Sequence, residues 1–366
     1  MKGRSLYILL ILVHLLLLLN ACTSETVNRD PMVNLAGITS GEIKLADLNR
    51  VLRQNQNNAG LYAKRAKLYL QDKQYEKALT DIEKAIYLND NQEEYYFWKA
   101  AILREMDRIT LALATAEEAE QLGSKDINNY LLQTELLLRK SRFTDALQKV
   151  NIALAEDPDN EYGIFCKGMA RAATNDTASA VLLFRRALRV APDFLDSYLQ
   201  LSSIFKAKKD YEQAKRYMQS GFRLDSLNGF LWYQQGLLYQ SLHRADSAYY
   251  CFEKATKLNS DLYLAHYQLS LIQYKKADYN QAAANMEKVK AAAPGLNLVQ
   301  EILAESYEKT GRYKQAILEY NEILRRKPQD VRTMWGIRRS NYALYKLKRD
   351  SLNKYRHYQL IDTITY

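Results

Sequence analysis

Eight alanines, Ala78, Ala112, Ala146, Ala180, Ala214, Ala248, Ala282 and Ala316, stand 34 residues apart with no insertion or deletion between them. A fixed period of this size is the mark of an array of identical supersecondary units, and it constrains the fold more than any compositional feature. Twelve residues before each alanine lie Ala66, Ala100, Thr134, Gly168, Ser202, Gly236, Ser270 and Ala304, all small. Seven residues after them come Ala85, Ala119, Ala153, Ala187, Gly221, Ala255, Val289 and Ile323. Large residues sit between: Tyr62, Tyr96, Tyr130, Ile164, Tyr198, Trp232, His266 and Gln300 sixteen before the alanine, and Tyr75, Ile109, Phe143 and Tyr211 among those three before it. Within a unit these positions step by three and four residues, the spacing that lines one face of an α-helix. Turn chemistry falls twice per unit, so each unit reads as two helices of about 13 residues, an A-helix and a B-helix, joined by short turns. With only 5 prolines and 13 glycines in 366 residues, flexible domain linkers are scarce and one elongated architecture is expected.

Quoted as LYAKRAKLYLQDKQYEKALTDIEKAIYLND, residues 61–90, the unit resembles the tetratricopeptide repeat, and the resemblance covers residues 59–330 as eight contiguous repeats. It implies an all-α fold, a right-handed superhelical solenoid whose A-helices line a groove that takes peptide segments of other proteins. The closing proline of the motif is present at Pro158, Pro192, Pro294 and Pro328, and Asp90, Ser124, Ser226 and Ser260 replace it elsewhere. The first large position departs from an aromatic at His266 and Gln300, so the last two repeats fit the packing pattern least. Residues 42–58, with Leu45, Leu48, Val51 and Leu52 at helical spacing, read as a capping helix, and residues 331–366 as basic C-terminal capping helices.

The N-terminus carries a different signal. Lys2 and Arg4 precede a fourteen-residue apolar run, Leu6 to Leu19, interrupted only by His14, and Ala21 stands just before Cys22. That is the plan of an export signal over residues 1–21, well short of the roughly 20 apolar residues of a spanning helix. Leu19-Asn20-Ala21-Cys22 resembles the lipobox of bacterial lipoproteins. The resemblance implies acyl chains on Cys22, with residues 22–41 as a flexible tether to a membrane. Thr23, Ser24 and Glu25 lack the acidic run that resembles a surface-export signal of Bacteroidota lipoproteins, so the expected location is the cell envelope, at the periplasmic face of the outer membrane. Asp-Ser/Thr-apolar triplets at Thr177, Ser226, Ser247, Ser351 and Thr363 resemble an O-glycosylation sequon of exported Bacteroidota proteins, though helix starts favour Asp and Ser on their own account.

One residue after the first large position stand Phe97, Leu131, Phe165, Leu199, Tyr233 and Tyr267, flanked by Trp98 and by the amides Gln200 and Gln234. Rings beside amides suit the capture of a peptide, and these residues are the candidate groove; packing between neighbouring A-helices is the alternative use of the same position. The run Lys64, Trp98, Leu132, Cys166 and Gln200 lacks the asparagine of the chaperone-binding carboxylate clamp, so a C-terminal carboxylate ligand of that type is not expected. A second surface is basic. Residues 331–366 hold eight Lys and Arg against two Asp and Glu, and Arg338, Arg339, Lys346, Lys348 and Arg349 form a patch for an anionic partner.

Catalytic chemistry is close to absent. No phosphate-binding glycine loop or nucleophile elbow occurs, the four histidines do not pair at metal-ligand spacing, and no cofactor, metal or small-molecule substrate is expected. Cys166 and Cys251 sit two repeats apart, too far for a disulfide. The expectation is a non-enzymatic envelope lipoprotein that binds other envelope proteins and no nucleic acid, serving assembly of a secretion, pilus or motility machine or docking cell-wall enzymes; a glycan or cell-wall binding module is the alternative. Because Cys22 alone would carry the acyl chains, Cys22→Ser is expected to leave an unprocessed, mislocalised precursor. Normal maturation and lipid labelling of that variant would overturn the anchor.

Overall fold

The chain's structure, a computed structural model, describes residues 45–364. The signal, Cys22, the tether and residues 42–44 of the proposed N-terminal cap lie outside the described residues. Among those described there are 18 α-helices and no strand, and no helix is long and apolar enough to cross a membrane. The chain divides into two compact units, one ending at Ile204 and the other beginning at Phe205. The first holds α1 (Leu45–Gln54), α2 (Ala59–Gln71), α3 (Tyr75–Leu88), α4 (Glu93–Glu105), α5 (Ile109–Gln121), α6 (Ile127–Arg139), α7 (Phe143–Glu156), α8 (Glu161–Ala173), α9 (Thr177–Val190) and most of α10 (Leu195–Ala207). The second holds α11 (Tyr211–Leu224), α12 (Gly229–Ser241), α13 (Ala245–Leu258), α14 (Tyr263–Lys275), α15 (Tyr279–Ala292), α16 (Val299–Lys309), α17 (Tyr313–Arg326) and α18 (Val331–Ile364). The fold is an all-α helical repeat solenoid in which even-numbered helices from α2 to α16 are A-helices and odd-numbered helices from α3 to α17 are B-helices.

Local chemistry starts seven of the helices. Asn58, Asp126, Asn160 and Asn228 cap A-helices by accepting from backbone N–H groups of the first turn, and Asp176, Asp210 and Asp278 do the same for B-helices. The A-to-B turn uses one left-handed residue per repeat: Lys73, Asp107, Ser141, Asn175, Lys209, His243 and Ala277 at φ 57–64°, and Gly311 at 79°. The next N–H reaches back five residues, as in Gln74 N to Tyr69 O at 2.8 Å and Arg312 N to Tyr307 O at 2.8 Å, which closes each A-helix with a Schellman turn.

The B-to-A turn is closed from the side. At five junctions the carbonyl at the closing-proline position meets a hydrogen-bond donor on the first large residue of the next A-helix, six residues on. Tyr96 Oη donates to Asp90 O at 3.0 Å, Tyr198 Oη to Pro192 O at 3.0 Å, and Trp232 Nε1 to Ser226 O at 3.0 Å. His266 Nε2 meets Ser260 O at 3.0 Å and Gln300 Nε2 donates to Pro294 O at 3.2 Å. A carbonyl only accepts, so His266 Nε2 carries the proton. Ile164 has no donor, and there Arg186 Nη2 supplies the bond to Pro158 O at 2.6 Å. His266 and Gln300, which depart from the aromatic pattern, thus supply the same bond: at these junctions the position uses a donor rather than a ring, and both residues are buried.

Packing explains the small residues. All eight period-setting alanines are at most 1% exposed. The residue twelve before the alanine faces the one four after it, and their sizes compensate. Gly168 lies under the ring of Phe184, where a Cβ would come within 2.7 Å of Cε1, and Gly236 lies under Phe252 at 2.5 Å. In the third repeat the same two positions hold Thr134 and Val150. At an exposed helical site Gly→Ala gains about 1 kcal/mol. Gly168→Ala is instead expected to lose about 1–3 kcal/mol through overpacking, with Phe184→Leu restoring part of it. Urea unfolding checks this, with Gln148→Lys, on an exposed B-helix face, as the near-silent control; a stabilising Gly168→Ala would contradict the register.

Candidate functional site

The candidate groove residues lie deeper than a ligand-binding row requires. In the first unit Phe97, Trp98, Leu131, Phe165 and Leu199 are all between 2% and 8% exposed, and Gln200 is half-buried. Phe97 and Trp98 meet edge to face at 5.2 Å, Phe165 packs on Phe184 at 5.5 Å and Phe194 at 5.2 Å, and Leu131 Cδ2 lies 3.3 Å from where a Cβ of Gly163 would stand. In the second unit Tyr233 and Gln234 are buried, whereas Tyr267 is half-buried and donates to Asn297 O at 3.1 Å. Most of this set is thus taken up by packing, and what the A-helices offer outward comes largely from residues that the periodicity did not single out.

In the first unit those residues form a charged cluster. Arg104, the twelfth residue of α4, is only 6% exposed. Its Nη1 donates to Glu135 Oε2 of α6 at 3.1 Å, and its Nε and Nη2 donate to Glu105 Oε1 at 3.0 and 2.7 Å. Tyr162 Oη of α8 donates to Glu135 Oε2 at 3.0 Å. Burial works against the Arg104 charge, but the carboxylates of Glu135 and Glu105 outweigh it and hold the guanidinium above its ordinary pKa. Burial, with Cys166 and Glu135 alongside, pushes the Tyr162 hydroxyl well up. Three repeats on, Lys206 is the twelfth residue of α10 and so holds the same register place as Arg104. No carboxylate pairs with Lys206 among the described residues, and burial alone pushes its ammonium down to about 8. A basic residue following an apolar run near the end of an A-helix was the sequence signal for both.

The basic cap resolves into inward and outward parts. Arg339 forks onto Glu308, at 2.6 Å from Nε to Oε1 and 3.0 Å from Nη2 to Oε2, and Glu308 also accepts from Tyr320 Oη at 2.6 Å. Burial raises the Glu308 carboxyl, but the Arg339 fork and the Tyr320 hydroxyl outweigh it and hold the group below its usual range. Arg338 lies over the Trp335 ring at 5.2 Å, Arg349 pairs with its neighbour Asp350 at 3.4 Å, and Lys346 and Lys348 pair with no carboxylate among the described residues. Cys166 and Cys251 are buried thiols outside any disulfide, and burial pushes the Cys251 thiol up to about 11. No group of three or more His, Cys, Asp or Glu that could hold a metal ion occurs among the described residues.

Family models described as tetratricopeptide repeat match residues 59–92, 195–226, 231–262 and 267–331, and the chain carries tetratricopeptide repeats. It is 22% identical over 177 residues to anaphase-promoting complex subunit 3 of Schizosaccharomyces pombe, covering 48% of this chain and 27% of that protein. It is also 22% identical over 174 residues to the TPR repeat-containing protein YpiA of Bacillus subtilis, covering 48% of this chain and 41% of that one. The chain therefore spans less than half the length of these relatives. Among solved structures it resembles a tetratricopeptide repeat protein from Parabacteroides merdae, with TM-score 0.57 and 16% identity over 69% of this chain and 99% of that one, a likeness of fold.

Lys206 gives the site a pH signature. Its folded pKa lies below the unfolded lysine value, so the unfolded chain holds more protons between pH about 8 and about 10.4, and stability rises with pH across that window. Lys206→Met is expected to raise stability at pH 7 and to flatten that rise. Parallel pH profiles of the wild type and the variant would contradict the assignment.

Proposed function

We propose that the chain is a non-catalytic scaffold that binds protein partners along its A-helix face and is held at the bacterial envelope through Cys22. The observation that carries the reading is Lys206: a half-buried cation on an A-helix, without the carboxylates that satisfy Arg104 at the equivalent place. Such a cation is stabilised by an arriving carboxylate, because a desolvated charge gains most from a partner that supplies the missing counter-ion. In the next repeat the twelfth A-helix residue is the exposed Gln240, whose Nε2 donates to Gln268 Oε1 at 3.3 Å, which adds amides able to meet a peptide main chain. The buried aromatic row keeps these polar groups in register, and Tyr267 is its most accessible member.

The lipobox-like sequence at Cys22 supports an anchor, and the tether to residue 41 would keep the repeats close to the bilayer, at the periplasmic face of the outer membrane. Assembly of a secretion, pilus or motility machine, or docking of cell-wall enzymes, follows from that setting. Crosslinking in the native envelope tests the reading. Lys206→Glu with Gln240→Lys is expected to lower capture of the partner about tenfold, while Leu182→Lys, on an exposed B-helix surface, leaves it unchanged. Equal capture by all three chains, or capture of a glycan alone, would overturn it.

A further inference from the structure

The last helix carries a surface that a plain cap does not need. A solenoid end is expected to present a polar outer face so that nothing stacks on it. Here α18 buries Thr333, Gly336 and Ser340 and half-buries Ile337 on one face. At 100° per residue, the opposite face presents Trp335, Arg338, Tyr342, Tyr345, Arg349 and Leu352, stepping by three, four, three, four and three residues. Trp335 is 54%, Tyr342 69% and Tyr345 63% exposed. From Tyr345 to Asn353 every residue is exposed, so this stretch of the helix has no cover from the other described residues.

We infer that this stripe is a docking surface for an acidic helix of a partner protein. Spacing of three and four sustained over 18 residues, about 26 Å of helix, makes a narrow seam of the width a second helix covers. Charge selects the partner. Arg338, Lys346 and Lys348 have no carboxylate partner among the described residues, and Arg349 has only its neighbour Asp350. Arg338 and Arg349 lie in the middle of the stripe rather than at its edges. A bilayer-inserted face keeps its centre apolar with cations on the flanks, so the central arginines disfavour a membrane. A second copy of the chain would bring like charges together along the seam, which disfavours self-pairing. Glutamate or aspartate on a partner helix meets both arginines, and the exposed rings supply the apolar anchors typical of binding hot spots. Arg339, held inward by Glu308, is not part of this surface. The surface stands apart from Lys206 and does not depend on the reading of the A-helix face.

The test places a photo-crosslinking benzoylphenylalanine at position 342 of the full chain in its native host and maps the attached peptide by mass spectrometry. The expected product is a segment of another protein, richer in Asp and Glu than in Lys and Arg, with apolar residues at three- and four-residue spacing. Arg338→Glu with Arg349→Glu is expected to cut its yield about tenfold, while Leu182→Lys, on an exposed B-helix surface, leaves it unchanged. Melting temperatures establish that the variants fold, and Leu352→Ser serves as a second, uncharged disruption. A crosslink to lipid, to a second copy of the chain or to nothing would overturn the proposal. So would binding of the purified chain to phosphatidylglycerol vesicles that the arginine reversal abolishes.

Discussion

Each junction between repeats leaves one carbonyl, at the closing-proline position, that the next helix has to satisfy. These turn residues are exposed, so each such bond is worth about 0.5–1.5 kcal/mol, which in a chain of nearest-neighbour contacts falls on the junction itself. At five junctions the first large residue of the A-helix reaches back six positions to meet it, using tyrosine, tryptophan, histidine or glutamine. In the fourth repeat an arginine from the B-helix takes over. The bond ties the body of the A-helix to the turn that precedes it, and so fixes the angle at which each repeat leaves the last. That geometric tie gives a physical reason for eight periods without an inserted residue.

Two further constraints follow from the same lattice. The A-to-B turn takes a left-handed residue every 34 positions and accepts lysine, aspartate, serine or alanine there, at about 1–2 kcal/mol of backbone strain each, because the Schellman bonds and the helix contact outweigh it. The helix contact itself is a matched pair in two repeats, where the rings of Phe184 and Phe252 lie directly over Gly168 and Gly236. Local compensation of this kind lets repeats differ in sequence while sharing one backbone.

The repeat fold was legible because small residues must recur wherever two backbones approach, and a period of 34 leaves no competing arrangement. The function of particular large residues was less so. Phe97, Trp98, Phe165 and Tyr233 satisfy the spacing of a groove and that of an inter-helix core equally well, and only burial separates the two. His266 and Gln300 looked like failures because periodicity records side-chain bulk, whereas the junction selects for a donor. Lys206 and Arg104 were missed because one charge in a helix reads as a solvated position until its neighbours are known. The stripe on α18 was visible as a basic cluster, but its seam became apparent once one continuous helix, with Arg339 turned inward, set the angles.

The most direct measurement removes single donors. Tyr96→Phe deletes one oxygen and reads the junction alone, while His266→Phe and Gln300→Leu delete the donors that replace tyrosine in later repeats together with the contacts to Asn285 Oδ1 and Arg326 Nη1. Chemical denaturation compares the three variants with the wild type and His266→Gln. Each donor-free variant is expected to lose about 0.5–1.5 kcal/mol, with His266→Gln close to the wild type. Donor-free variants as stable as the wild type, or an aromatic at 266 that stabilises the chain without a donor, would contradict the account.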